Sequence, residues 1–157
     1  MKNSVYIETS IVSYLTARPS NDIRSVSQQN ITLEWWEFRR NDFDLFISEF
    51  VIVEASRGDK SAAAKRLTAI EGIAELEVLD TTAELAKSLI SRGSLPTKAE
   101  VDAFHVAVAT THGVEFLLTW NCKHIANAIM RPKIEQVCRE MGFEPPIICT
   151  PTELLEE

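Results

Sequence analysis

Val101-Asp102-Ala103-Phe104-His105-Val106-Ala107-Val108-Ala109 reads as a helix that is apolar nearly all round. Such a helix packs inside a fold rather than on its surface. Asp102 is the one carboxylate in the run. A carboxylate on a buried helix is costly unless it is paired, hydrogen-bonded or bound to a metal. Thr97 and Glu100 have the spacing of a capping box, and Gly113 fits a C-terminal stop. The box accounts for Glu100 and leaves Asp102 unexplained.

Outward from that helix, short apolar runs alternate with helical patterns. Upstream, Val5-Tyr6-Ile7 is β-prone, and Ser10 is placed to cap a helix through Ile11, Val12, Tyr14 and Leu15. Asp22 to Arg40 reads as a longer helix. Trp35 and Trp36 within it cannot face the same way, so one of them is a candidate partner surface. Phe43 to Ile47 is a second strand, and Phe50 to Ala55 a short buried helix closed by Glu54. Asp59 to Ile70 is an amphipathic helix. Glu75 to Leu79 is a third strand, and Thr81 to Ser91 a helix opened by a Thr81/Glu84 box. Downstream, Glu115 to Thr119 is a fourth strand, Pro132 to Met141 a helix stopped by Gly142, and Ile147 to Cys149 a fifth strand. A short helix opens at Thr150. Strands alternating with helices predict one three-layer α/β/α domain over 1–157, with a mainly parallel sheet of about five strands.

Composition sets the class. The chain has 157 residues, 45% hydrophobic and 25% charged, the balance of a globular domain with a real core. No apolar run reaches membrane-spanning length, and the start Met1-Lys2-Asn3-Ser4 does not read as a signal peptide, so the expected setting is cytoplasmic. Cys122, Cys138 and Cys149 lack C-x-x-C spacing and read as reduced thiols. A net charge of -7 argues against a protein that coats nucleic acid generally, but clustered acids holding a cation count toward that charge.

Three acids are poorly explained by solvation: Glu8 after the first strand, Glu54 after an apolar run, and Asp102. Asn121 follows the fourth strand. Open α/β sheets bind ligands at the carboxyl ends of their strands. Carboxylates brought to about 5 Å repel by about 3 kcal/mol per pair at an effective dielectric of 20. A hard cation, Mg²⁺ or Mn²⁺, removes that repulsion, and it can activate water against a phosphodiester.

Four pieces of sequence, in this order and spacing, carry a resemblance. They are Val5 to Ser10, Ser48 to Glu54, Lys98 to His105, and Leu118-Thr119-Trp120-Asn121 with His124 three residues on. The chain resembles the PIN-domain family, and within it the VapC-like toxins of type II toxin–antitoxin modules. The resemblance covers nearly the whole chain. It implies a PIN-like α/β/α fold and a Mg²⁺- or Mn²⁺-dependent endoribonuclease that hydrolyses RNA with a metal-activated water. It further implies an antitoxin protein that blocks the site, and a homodimer. On that resemblance Glu8, Glu54 and Asp102 match the three metal-holding acids, and Asn121 the position of a fourth Asp or an Asn. Ser10 and Thr119 match the small polar residues beside them. The chain departs in two places: the first acid is usually Asp, and Asn121 is neutral. Both departures would fit a second reading, a PIN-fold module that binds protein or RNA without catalysis. A third reading, an aspartyl-phosphate phosphatase, wants Asp where this chain has Glu8, and no Gly-rich phosphate loop is present.

Each candidate also has a purely structural reading. Asp102 could be bonded to helix N–H groups or an Arg, Glu8 could be a helix-start anion, Glu54 an exposed helix end and Asn121 a turn residue. His105, three residues from Asp102, reads as a packed or exposed neutral imidazole rather than a ligand, and His124, which could touch substrate, reads first as a loop His bonded to backbone.

Overall fold

The structure, a computed structural model, describes residues 1–156. The elements run β1 (Asn3–Ile7), α1 (Thr9–Thr16), α2 (Ile23–Phe38), β2 (Phe43–Ser48), α3 (Glu49–Ala55), α4 (Lys60–Ile70), β3 (Ala74–Leu76), α5 (Asp80–Ser91), α6 (Glu100–Thr111), β4 (Phe116–Leu118), α7 (Met130–Glu140) and β5 (Ile147–Cys149). One sheet holds all five strands in the order β3-β2-β1-β4-β5, and every pairing is parallel. β1 is central: Tyr6 pairs with Phe46 of β2 on one side and Leu117 of β4 on the other. Val5, Tyr6 and Ile7 are fully buried, as expected of a strand covered on both faces.

The order places the candidate site. From β1 the chain moves outward to β2 and β3, then returns past β1 to β4 and β5. Parallel crossovers are right-handed, so travel in opposite directions puts the connecting helices on opposite faces. The packing agrees: α1 touches α2, α3 and α4, while α5 packs on α6 and α7. Between β1 and β4 the winding reverses, and open α/β sheets bind ligands outside the carboxyl ends of the strands at such a switch point. Glu8 follows β1 at that switch point, and Thr119 follows β4 there.

Several local details differ from the sequence reading. Ser10 lies inside α1 and Glu8 holds the N-cap position, because the hydroxyl of Ser10 is used elsewhere. Thr97 and Glu100 form no box: Thr97–Ala99 is a 3₁₀ turn, and α6 starts at Glu100. Asp102 therefore lies in the first turn of α6, where the helix dipole favours an anion, and not in its interior. The interior position belongs to His105, which is wholly buried. α5 is opened by Thr82, whose hydroxyl accepts from the Leu79 backbone N at 3.2 Å. β3 stops at Leu76, short of the expected Leu79, and its Ala74 and Glu75 are exposed at the edge of the sheet. Gly113, at φ 67°, ends α6 as expected, since a left-handed residue costs glycine nothing. Trp35 is fully buried and stacks on Phe43, with ring centroids 5.8 Å apart. Trp36 is partly buried, and the guanidinium of Arg40 lies 4.6 Å from its ring centroid.

Candidate active site

Glu8 is only 4% exposed. Its side chain caps nothing. Instead Oε1 accepts from Ser10 Oγ and, at 2.6 Å, from Thr119 Oγ1. Each hydroxyl in turn accepts a backbone N–H: Ser10 from Trp120 at 2.8 Å, Thr119 from Asn121 at 2.9 Å. A hydroxyl has one proton. With a backbone N–H on the acceptor side of each, both protons are aimed at Glu8.

Glu54, near the end of α3, is held in the same manner. Its Oε1 accepts from Thr9 Oγ1 at 2.7 Å and lies 2.6 Å from His105 Nε2. The other imidazole nitrogen, Nδ1, is 2.7 Å from the Tyr6 hydroxyl, which is 2.7 Å from Ser48 Oγ. Ser48 caps α3 through the Phe50 N–H. A polar chain thus threads the core from α3 through α6 and β1 to the end of β2.

That chain shifts its members. Burial is the largest influence on His105 and by itself lowers its pKa. The hydrogen bond to Glu54 and the charges of Glu8, Glu54 and Asp102 outweigh it, so the net shift is upward. For Glu54, burial again acts first and raises the pKa. The bond and charge of His105, with Thr9 and Arg57, more than reverse it, and its carboxyl is held below the ordinary range. Burial pushes the Tyr6 phenol up, so it stays protonated. His105 is buried, and it is an imidazolium-favouring partner of carboxylates rather than a packed or exposed neutral residue.

Asp102 stands one helical turn before His105. Its side chain is 17% exposed, and Oδ2 lies 2.9 Å from His124 Nδ1. The backbone N of His124 donates to Asn121 Oδ1 at 3.0 Å. The side-chain oxygen of Asn121 thus accepts one bond inside its own turn. His124 departs from the sequence reading, because its ring bonds a carboxylate and not the backbone.

The structure therefore brings Glu8 and Glu54 together around His105, and joins Asp102 to the Asn121–His124 loop. His105, which senses all three acids, links the two groups. Glu8, Glu54 and His105 can each offer a ligand atom within 4.8 Å of the others'. More telling is how each carboxylate is divided. One oxygen of each is bound: Oε1 of Glu8, Oε1 of Glu54 and Oδ2 of Asp102. Among the described residues the opposite oxygen of each accepts no hydrogen bond; that of Glu8 lies 4.0 Å from His105 Nε2. Glu8 and Glu54, each held by one oxygen with the other open and both in the group with His105, suit a hard divalent cation; Asp102 is held in the same way but lies outside that group.

Thr9, Tyr6 and His105 had no assigned part in the sequence reading. Signals were present: a buried Tyr hydroxyl needs a partner, and His105 is spaced i+3 from Asp102. Neither signal says which residue 50 or 100 positions away completes the pair.

The profile of the PIN domain matches residues 5–122. No curated protein sequence matches the chain. Among solved structures, VapC20 of Mycobacterium tuberculosis, a sarcin-ricin loop cleaving toxin, is similar with a TM-score of 0.58 and 18% identity, covering 91% of this chain and all of that one. VapBC2 of Rickettsia felis, bound to a DNA fragment from their promoter, is similar with a TM-score of 0.53 and 15% identity, covering 93% of this chain and 97% of that one.

Proposed function

The chain belongs to the PIN-domain family, and we propose that it is a metal-dependent endoribonuclease of the VapC-like kind. The observation that carries this reading is the division of the three carboxylates, each with one oxygen held and one open. Glu8, Glu54 and Asp102 would hold Mg²⁺ or Mn²⁺ through those open oxygens. A cation so held supplies acidity to water and charge neutralisation to a phosphodiester.

The chain's own residues do the rest. Ser10 and Thr119 fix the Glu8 carboxylate, and Thr9 with His105 fixes that of Glu54. Preorganised acids need not rearrange during the reaction, which is where such sites gain rate. Asn121 acts through its turn, its side-chain oxygen accepting the His124 N–H. RNA is the proposed substrate and an antitoxin protein the proposed partner; a toxin described as cleaving the sarcin-ricin loop and a VapBC complex among the similar structures support both. The proposed assembly is a homodimer in the cytoplasm. No helix among the described residues is long and apolar enough to cross a membrane.

One observation favours the second reading. His105 stands 2.6 Å from Glu54 and 4.0 Å from Glu8, and when protonated its single charge offsets part of their repulsion without a metal ion. A PIN-fold module that binds protein or RNA and does no chemistry could be built on that pair. Cleavage of a mixed RNA pool with Mn²⁺ or Mg²⁺, beside an EDTA control and Asp102→Asn, separates the readings. Cleavage lost in both controls is expected. A folded, partner-free sample that neither cleaves RNA nor takes up Mn²⁺ at millimolar concentration would leave the binding module.

A further inference from the structure

Asp102 differs from the other two acids in what holds it. Glu8 and Glu54 are fixed by hydroxyls and a fully buried imidazole. Asp102 is fixed by one ring, that of His124, carried on the segment between β4 and α7. A carboxylate only accepts, so the proton of this bond sits on His124 Nδ1. His124 is itself placed by a dense turn. Asn121 Oδ1 receives the His124 N–H at 3.0 Å. The Asn121 carbonyl receives the N–H groups of Ile125 and Ala126 at 3.1 and 2.8 Å, and the Asn121 N–H goes back to Thr119 Oγ1. Ile125, next to His124, is fully buried and pins the turn to the core. The side chain of Asn127 closes the far end on the Cys122 carbonyl at 3.0 Å.

We propose that Asn121 and His124 form a positioning arm, with His124 Nδ1–H gripping Asp102 Oδ2 so that Oδ1 faces the cation site. The inference rests on the proposed metal site and assigns two of its supports. It gives the neutral Asn121 a task that an ionised Asp could perform equally well: accepting the His124 backbone N–H. Partners of this kind orient a ligand, and their loss lowers metal affinity by about 10–100-fold. Thr119 then serves both sides of the switch point, donating to Glu8 and receiving from Asn121.

The test is Mn²⁺ affinity of the full chain, read by calorimetry or by the electron paramagnetic resonance of free Mn²⁺, with no substrate present. His124→Ala should weaken Mn²⁺ binding by about 10–100-fold. His124→Asn can set an amide N–H near the place of Nδ1–H and should recover most of that loss. His124→Gln sets its amide near the place of Nε2 and should not. Asn121→Ala should fall between wild type and His124→Ala. Urea unfolding of each variant confirms that it is folded. Wild-type affinity in His124→Ala, or equal affinities for His124→Asn and His124→Ala, overturns the arm. Asp102→Asn run alongside separates the two levels. If it binds Mn²⁺ as wild type does, or if wild type binds none, the metal site itself fails and the arm with it. If Asp102→Asn binds weakly while His124→Ala does not, only the arm fails.

Discussion

Around Glu8 and Glu54, the groups that bind the carboxylates come from α1, α6 and the end of β4, and most of them are buried. Around Asp102, the one donor comes from a loop, and both partners are 16–17% exposed. The inner half is part of the core: removing a member leaves other buried polar groups without partners. The outer half is attached to the core through Ile125 and Thr119, and its ion pair is partly exposed. One edge of the sheet thus holds a pair of acids fixed by the fold and a third fixed by a turn. The inner half should answer mutation in stability, and the outer half in ligand affinity and rate.

The hardest test of that division is Asp102→Asn. It keeps the shape of the side chain and the α6 start, and RNA cleavage should fall by about 10²–10³-fold or more, the scale of losing one preorganised electrostatic group. The urea midpoint should barely move. Unchanged cleavage would break the division at once. Next is His105→Leu, which strips the buried ring from Glu54 and Tyr6 while filling similar space. Breaking a buried, hydrogen-bonded charge pair costs about 3 kcal/mol or more, and urea unfolding should register that loss. His124→Ala, on the other side, should cost under about 1 kcal/mol. Similar losses from the two would erase the distinction.

A pH series without divalent cation sharpens the inner half further. Glu54 has a lowered pKa, so its contribution is present above its ordinary 4.5 and is lost as pH falls through the lower folded value. His105 has a raised pKa, so its contribution is present below its ordinary 6.5 and is lost as pH rises through the higher folded value. Together they place the greatest stability from this pair between 4.5 and 6.5. His105→Leu should flatten both flanks relative to wild type, and parallel curves for the two proteins would count against the pair. The mildest probe is thiol labelling. Cys122 sits exposed in the outer turn, whereas Cys138 and Cys149 are buried, and burial pushes the Cys149 thiol up to about 12. At pH 8 a disulfide reagent should modify Cys122 quickly and the other two only after unfolding. Fast labelling of all three would mean the core near β5 opens far more readily than its packing implies.

The fold was largely legible in the chain because its signals are local. Period with a cap or a glycine stop marks the helices over 60–70 and, from Pro132 on, 130–140, and continuous apolar runs mark buried parallel strands. The single acid in the apolar run around Asp102 marked that helix as part of a site, and element order placed Glu8 and Asn121 at the ends of β1 and β4. Boundaries were less legible where side chains had better uses than capping. Ser10 serves Glu8 and Trp120, so Glu8 takes the cap position.

Sequence alone determined which residue types stand at the carboxyl edge of the sheet, since burial and period are properties of neighbours along the chain. Tertiary structure decided which oxygen of each acid is held and which is open. Tyr6 meets His105 across 99 residues, Thr119 meets Glu8 across 111, and His105 meets Glu54 across 51. A hydrogen bond is made over about 3 Å and must be aimed. Only the packing of α6 against β1 and α3, and the turn after β4, brings those atoms into range. The same short range separates the part of Asn121, bonded to the third residue after it, from that of a fourth acid.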